Sequence, residues 1–137
     1  MKIHYQELRD KQRSPLADSA PIDTPWLVML DPANLCNMRC NFCPTGFKEQ
    51  VAMRRNGIMP FDLYKKIVAD FSIMPHRIRK MVFCKDGEPL LNKHIVEMLG
   101  MAVDSKIADT IWLRTNGLQL KPELNTKLAG LGLDVKT

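Results

Sequence analysis

The chain has 137 residues, 45% hydrophobic and 26% charged, the make-up of one globular domain large enough to bury a core. Its longest uninterrupted apolar run, Trp26–Leu30, is five residues against the roughly 20 of a membrane helix, and Met1-Lys2 leads into no apolar signal segment. Net charge is +5, but the cations are dispersed and the densest patch, His76-Arg77-Ile78-Arg79-Lys80, carries no interleaved aromatics, so neither membrane nor nucleic acid is an expected partner. Four cysteines, three of them within eight residues, do not make the framework of a small secreted disulfide protein, and a cytoplasmic location is expected.

Residues 1–25 are polar, contain Pro15, Pro21 and Pro25, and read as an N-terminal extension. Trp26–Leu30 is a short buried strand ending at Asp31-Pro32, and a loop rich in Cys, Asn and Gly follows to Gly57. Pro60 opens an amphipathic helix whose stripe is Phe61, Tyr64, Ile67, Val68 and Phe71, with Pro75 as its stop. The phrase then repeats. Lys80–Cys84 is a strand with Asp86-Gly87-Glu88-Pro89 at its end, and Asn92 caps a helix with Ile95, Met98, Leu99 and Ala102 inward. Thr110–Arg114 is a third strand with Thr115-Asn116-Gly117 as its turn, followed by a helix from Pro122 through Leu124, Leu128 and Leu131 to Gly130 and Gly132. Leu133–Thr137 begins a fourth strand.

Strands alternating with helices imply βαβ units and a parallel α/β sheet. In such sheets the loops beyond the strands' C-terminal ends carry the chemistry. The cysteine loop, Asp86–Pro89 and Thr115–Gly117 are all such loops, so they are expected to converge on one mouth.

Cys36-Asn-Met-Arg-Cys40-Asn-Phe-Cys43 places three soft ligands in one loop, which favours zinc, copper(I) or an iron–sulfur cluster. A tight triplet without a distant second pair fits structural zinc poorly. The remaining cysteine, Cys84, lies 41 positions beyond Cys43 in an apolar strand, where it reads as a small buried hydrophobe; a fourth ligand is the alternative. Three ligands on a four-iron cluster leave one iron open, and an open site suggests chemistry. His4, His76 and His94 pair with no cysteine and read as surface residues, while the methionines, Met29, Met81, Met98 and Met101 among them, mostly fall on faces expected to be buried. Asp31 reads as a cap on the cysteine loop.

The Cys36-x3-Cys40-x-Phe42-Cys43 run resembles the signature of the radical S-adenosylmethionine (SAM) enzymes. The resemblance implies a 4Fe–4S cluster on Cys36, Cys40 and Cys43, with SAM chelating the fourth iron. It also implies reductive cleavage of SAM to methionine and a 5′-deoxyadenosyl radical that abstracts hydrogen from substrate. Gly87-Glu88-Pro89 is similar to the family's Gly-Gly-Glu-Pro motif for the SAM amino group, with Asp86 standing where the family has its first glycine. If that position needs positive φ, Asp is among the more tolerable replacements. By the same resemblance Phe42 flanks the adenine and Asn116, in Thr-Asn-Gly, lies near SAM; for Asn116 a left-handed turn position is the alternative.

The implied fold is an incomplete (βα)6 partial TIM-type barrel, with about three βα units and the start of a fourth strand in residues 26–137. Such a barrel runs to roughly 200 residues, so the chain is expected to be the N-terminal part of a core truncated at its C-terminus. The implied partners are a one-electron reductant of flavodoxin or ferredoxin type and a peptide or small-metabolite substrate, in a branch with a C-terminal SPASM-type domain. The competing readings are a non-catalytic zinc- or cluster-binding module and an inert cluster-binding fragment.

Overall fold

The computed structural model describes residues 22–46 and 57–136. Most of the expected N-terminal extension and residues 47–56 of the cysteine-bearing loop lie outside the described residues. The strands are β1 (Leu27–Leu30), β2 (Lys80–Phe83), β3 (Ile111–Arg114) and β4 (Asp134–Lys136), and the helices α1 (Phe61–Ser72), α2 (Ile95–Asp104) and α3 (Pro122–Gly130). Among the described residues the strands make one parallel sheet in the order β1-β2-β3-β4.

That order has no reversal, so each crossover of the same hand lays its helix on the same face. Leu30, Met81, Phe83, Ile111 and Leu113 face the helices and form one buried cluster with Tyr64 and Val68 of α1, Met98, Leu99 and Ala102 of α2, and Leu128 of α3. This is the one-sided winding of a barrel rather than a doubly wound sheet. The α/β partial-barrel expectation holds. The opposite face carries Leu27, Met29, Trp112 and Arg114, with the Lys80 ammonium 3.8 Å from the Trp112 ring centroid. Met29, expected inside, is 44% exposed because it lies on the face that the helices do not cover.

The first and third helices begin as the prolines predict, with Pro60 as the extended residue before α1 and Pro122 in the first turn of α3. The start of α2 differs. Pro89–Leu91 form a short 3-10 turn, and the residue preceding the helix is His94, not Asn92. Asn92 is fully buried, and its side-chain amide donates to the Pro32 carbonyl at 2.9 Å and the Met59 carbonyl at 3.1 Å. Its Oδ1 accepts from the His94 amide at 3.0 Å, so the residue ties β1's exit to α2's entrance. The basic stretch before β2 is solvated as expected: His76, Arg77 and Arg79 are exposed around buried Ile78.

Tyr64 ties α1 to α2. It is fully buried, and its hydroxyl donates to the Met98 carbonyl at 2.7 Å. Tyr64→Phe is expected to cost about 1 kcal/mol, read as a lower urea midpoint with unchanged slope. Burial raises the Tyr64 pKa. A raised native pKa means the unfolded chain releases its proton first, so this contribution is complete below about pH 10 and declines as pH rises beyond it. The stability of Tyr64→Phe should therefore fall less steeply than that of the native chain above about pH 10.

Candidate functional site

Every segment singled out by motif lies beyond the C-terminal end of a strand. The cysteine loop follows β1, Cys84–Pro89 follows β2, and Thr115–Gly117 follows β3. A cavity of about 380 Å³ opens between them, lined by Cys36, Cys84, Gly87, Glu88, Thr115 and Asn116. A larger cavity of about 570 Å³ between α2 and α3 is lined by Leu90 and Asn92 but by no cysteine and by none of Gly87, Glu88, Pro89 or Asn116, and is not the site of this chemistry.

Glu88 organises the mouth. Its side chain is 1% exposed, and a buried carboxylate is costly unless hydrogen-bonded. Oε1 accepts from the Leu90 amide at 2.9 Å and the Thr115 hydroxyl at 2.7 Å, and Oε2 accepts from the Asn116 amide at 2.7 Å. The acidic residue of Gly87-Glu88-Pro89 thus joins the turn after β2 to the turn after β3. Oε2 carries one donor, which leaves it acceptor capacity toward the cavity.

Gly87 joins the same turn to the cysteine loop. A Cβ at this position would run into the Ala33 carbonyl oxygen and come within 2.7 Å of the Asn34 Cα, both of them backbone. The Glu88 amide donates to the Leu35 carbonyl at 2.7 Å, one residue before Cys36. Asp86 does not have a positive φ; among the described residues those values fall at Cys84 (144°), Lys106 (51°), Gly117 (78°) and Gly132 (66°). The left-handed residue of the Thr-Asn-Gly turn is accordingly Gly117, while Asn116 spends its side chain on other contacts. Its amide donates to the Asn37 Oδ1 at 2.8 Å and toward the Cys36 sulfur at 3.8 Å, and its Oδ1 accepts from the Leu118 amide at 3.0 Å.

Cys36, Cys40 and Cys43 are free and half-buried. The Cys43 amide donates to the Cys40 carbonyl at 3.1 Å and the Gly46 amide to the Cys43 carbonyl at 2.8 Å, so this part of the loop is wound into successive turns. Cys36 also receives the Met38 amide at 3.4 Å; with Asn116 this gives its sulfur two N–H donors, the surroundings that tune cluster thiolates. As a donor set, three reduced soft sulfurs at a cavity mouth fit an iron–sulfur cluster. Among the described residues no three His, Cys, Asp or Glu side chains surround one metal-sized point, and a 4Fe–4S cluster does not ask for it, since each thiolate binds a separate iron. Phe42, between Cys40 and Cys43, is 90% exposed, an uncovered ring beside the site.

Two side chains sit differently from their sequence expectations. Cys84 lies just past β2 and is half-buried at the cavity wall, its thiol donating to the Gly87 carbonyl at 3.2 Å. Burial first, then the charges of Asp31 and Glu88, push its pKa up to about 11, so it stays a protonated thiol. Asp31 does not cap the cysteine loop that follows it. Its carboxylate accepts from the amides of Lys85 at 2.6 Å and Asp86 at 3.1 Å, in the turn after β2. No local pattern announces either contact, because their partners lie 54 and 55 residues away.

The Radical SAM superfamily model matches residues 30–135. The chain is 34% identical over 100 residues to the GTP 3′,8-cyclase of Aquifex aeolicus (strain VF5), covering 70% of this chain and 29% of that protein. It is 27% identical over 96 residues to the GTP 3′,8-cyclase of Klebsiella pneumoniae subsp. pneumoniae, covering 69% and 28%. The chain thus spans less than a third of the length of these relatives. Among solved structures it is similar to BtrN in complex with AdoMet and 2-DOIA, with a TM-score of 0.68 and 26% identity over 80% of this chain and 43% of that one. With a family model over most of its length and a partial-barrel fold to match, the chain belongs to the Radical SAM superfamily, enzymes whose cofactors are a 4Fe–4S cluster and SAM.

Proposed function

We propose that this chain carries the cofactor-binding loops of a radical SAM enzyme, with Cys36, Cys40 and Cys43 holding the 4Fe–4S cluster and the turns after β2 and β3 receiving SAM. The observation that carries this reading is the joining of the three loops around one cavity, through Glu88 on one side and Gly87 on the other. When bound, the cluster supplies the electron that cleaves SAM to methionine and a 5′-deoxyadenosyl radical. The chain's own residues bind and orient. Carbonyls of the Gly87 turn and the remaining lone pairs of Glu88 would accept the N–H groups of the SAM amino group, which cannot be buried without acceptors. Pro89 fixes the start of the 3-10 turn that presents the Leu90 amide to Glu88. The exposed Phe42 ring offers the adenine a flat apolar neighbour, and Asn116 donates toward the Cys36 sulfur.

Cys84, whose thiol is engaged with the Gly87 carbonyl on the turn after β2, stands apart from the cysteine loop and supports an open fourth iron rather than a closed four-cysteine cluster. The electron comes from a one-electron donor of flavodoxin or ferredoxin type, and the substrate is a peptide or small metabolite. The relatives bear unlike names, a GTP 3′,8-cyclase and a protein crystallised with AdoMet and 2-DOIA, which supports reading the shared segment as cofactor-handling.

Anaerobic reconstitution tests this. The chain should take up about four iron and four sulfide, and Cys40→Ala should lose them. Dithionite reduction with SAM should then yield 5′-deoxyadenosine. Zinc retained in place of iron would contradict the assignment, and a loaded chain that yields no 5′-deoxyadenosine would mark an inert cluster-binding fragment. Gly87→Ala tests the joint between loop and turn. Forcing a methyl group into backbone should cost about 1–3 kcal/mol in denaturant unfolding and weaken SAM binding more than iron uptake.

A further inference from the structure

We propose that Asp31 is a positioning residue for recognition of the SAM amino group, holding the turn after β2 so that its amides face β1 and its acceptors face the cavity. This rests on the cofactor reading above. Asp31 Oδ1 accepts from two consecutive amides, Lys85 at 2.6 Å and Asp86 at 3.1 Å, and Oδ2 lies 3.3 Å from the Asp86 amide. Consecutive N–H groups converging on one anion form a nest, and here the chain fills it with its own carboxylate.

The arrangement gives the turn a polarity. Its donors point to the end of β1, away from a ligand that is itself a donor. The Gly87 carbonyl lies at the cavity wall, where the Cys84 thiol donates to it at 3.2 Å. Without Asp31 the two amides would lose the acceptor that fixes the peptides, and a rotated peptide would turn a donor toward the SAM amino group in place of an acceptor. The carboxylate also adds negative potential at the cavity wall, where with Glu88 it acts on Cys84 against the opposing charge of Arg114. The same contact explains how Asp86 replaces the family's first glycine. Its amide is fixed by Asp31 with φ in the ordinary range, so the turn needs no left-handed residue there.

The test is calorimetric, on the reconstituted chain and its Asp31→Ala and Asp31→Asn variants, with SAM and with 5′-methylthioadenosine, which lacks the amino-acid portion. In Asp31→Ala the affinity for SAM should fall about tenfold or more. Asp31→Asn, which keeps an acceptor oxygen without the charge, should lose less. Iron content and the affinity for 5′-methylthioadenosine should stay unchanged in both. SAM affinity equal to the native chain's would overturn the inference. A parallel loss of iron, SAM and 5′-methylthioadenosine would also overturn it, by making Asp31 a general prop of the fold. If the native chain itself takes up neither iron nor SAM, the cofactor reading fails, and this inference with it.

Discussion

A carboxylate with 1% exposure at the C-terminal edge of a sheet has to be satisfied from within, and Glu88 takes its donors from two different strands' turns. Removing one partner of a buried charged group costs far more than an exposed pair would. The geometry of the mouth therefore depends on this one side chain. Thr115 and the Asn116 amide cannot leave Glu88 without stranding it, and the Leu90 amide holds it from the 3-10 turn. Asn116, fixed through its backbone, is then placed to reach Asn37 and the Cys36 sulfur, which carries the brace across to the cysteine loop.

The cysteine loop meets the same brace from the other side by packing rather than by charge. Gly87 lets the turn after β2 lie directly on the backbone of Ala33 and Asn34, and the Glu88 amide bonds the Leu35 carbonyl beside Cys36. Asn92 adds a second tie from α2's entrance to Pro32 and Met59. The residues leading into Cys36 are thus fixed at several points, while the three cysteines of the loop are reduced and half-buried. A fixed approach to the ligand loop suits the proposed site, in which three sulfurs would hold three irons and leave the fourth for a second cofactor.

The sheet and its helices were legible in the sequence because their signals are local. Apolar stripes at helical spacing, prolines at helix starts and short β-branched or aromatic runs mark elements without reference to the rest of the chain. The cysteine triplet and Gly-Glu-Pro were legible as chemistry, since few other arrangements want those residue types so close. What local pattern could not supply were contacts spanning tens of residues. Asn92 has the composition of a helix cap, yet its amide is claimed by Pro32, 60 positions earlier. Asp31 sits beside the cysteine loop in sequence but serves the turn after β2. Cys84, at the end of an apolar strand, lies at the cavity wall because the strand stops one residue before it. Met29 alternates correctly, but which face the helices cover follows from the winding of the sheet.

The central claim is that three ligands and three converging turns present an iron to which SAM can bind. Electron paramagnetic resonance of the dithionite-reduced, reconstituted chain tests it directly, because the signal reports the ligand field of the cluster itself. Addition of SAM should shift the g-values of the cluster signal, and addition of 5′-methylthioadenosine, which has no chelating amino-acid end, should not. A fully loaded cluster with the same spectrum before and after SAM would mean a closed site, and would contradict the account.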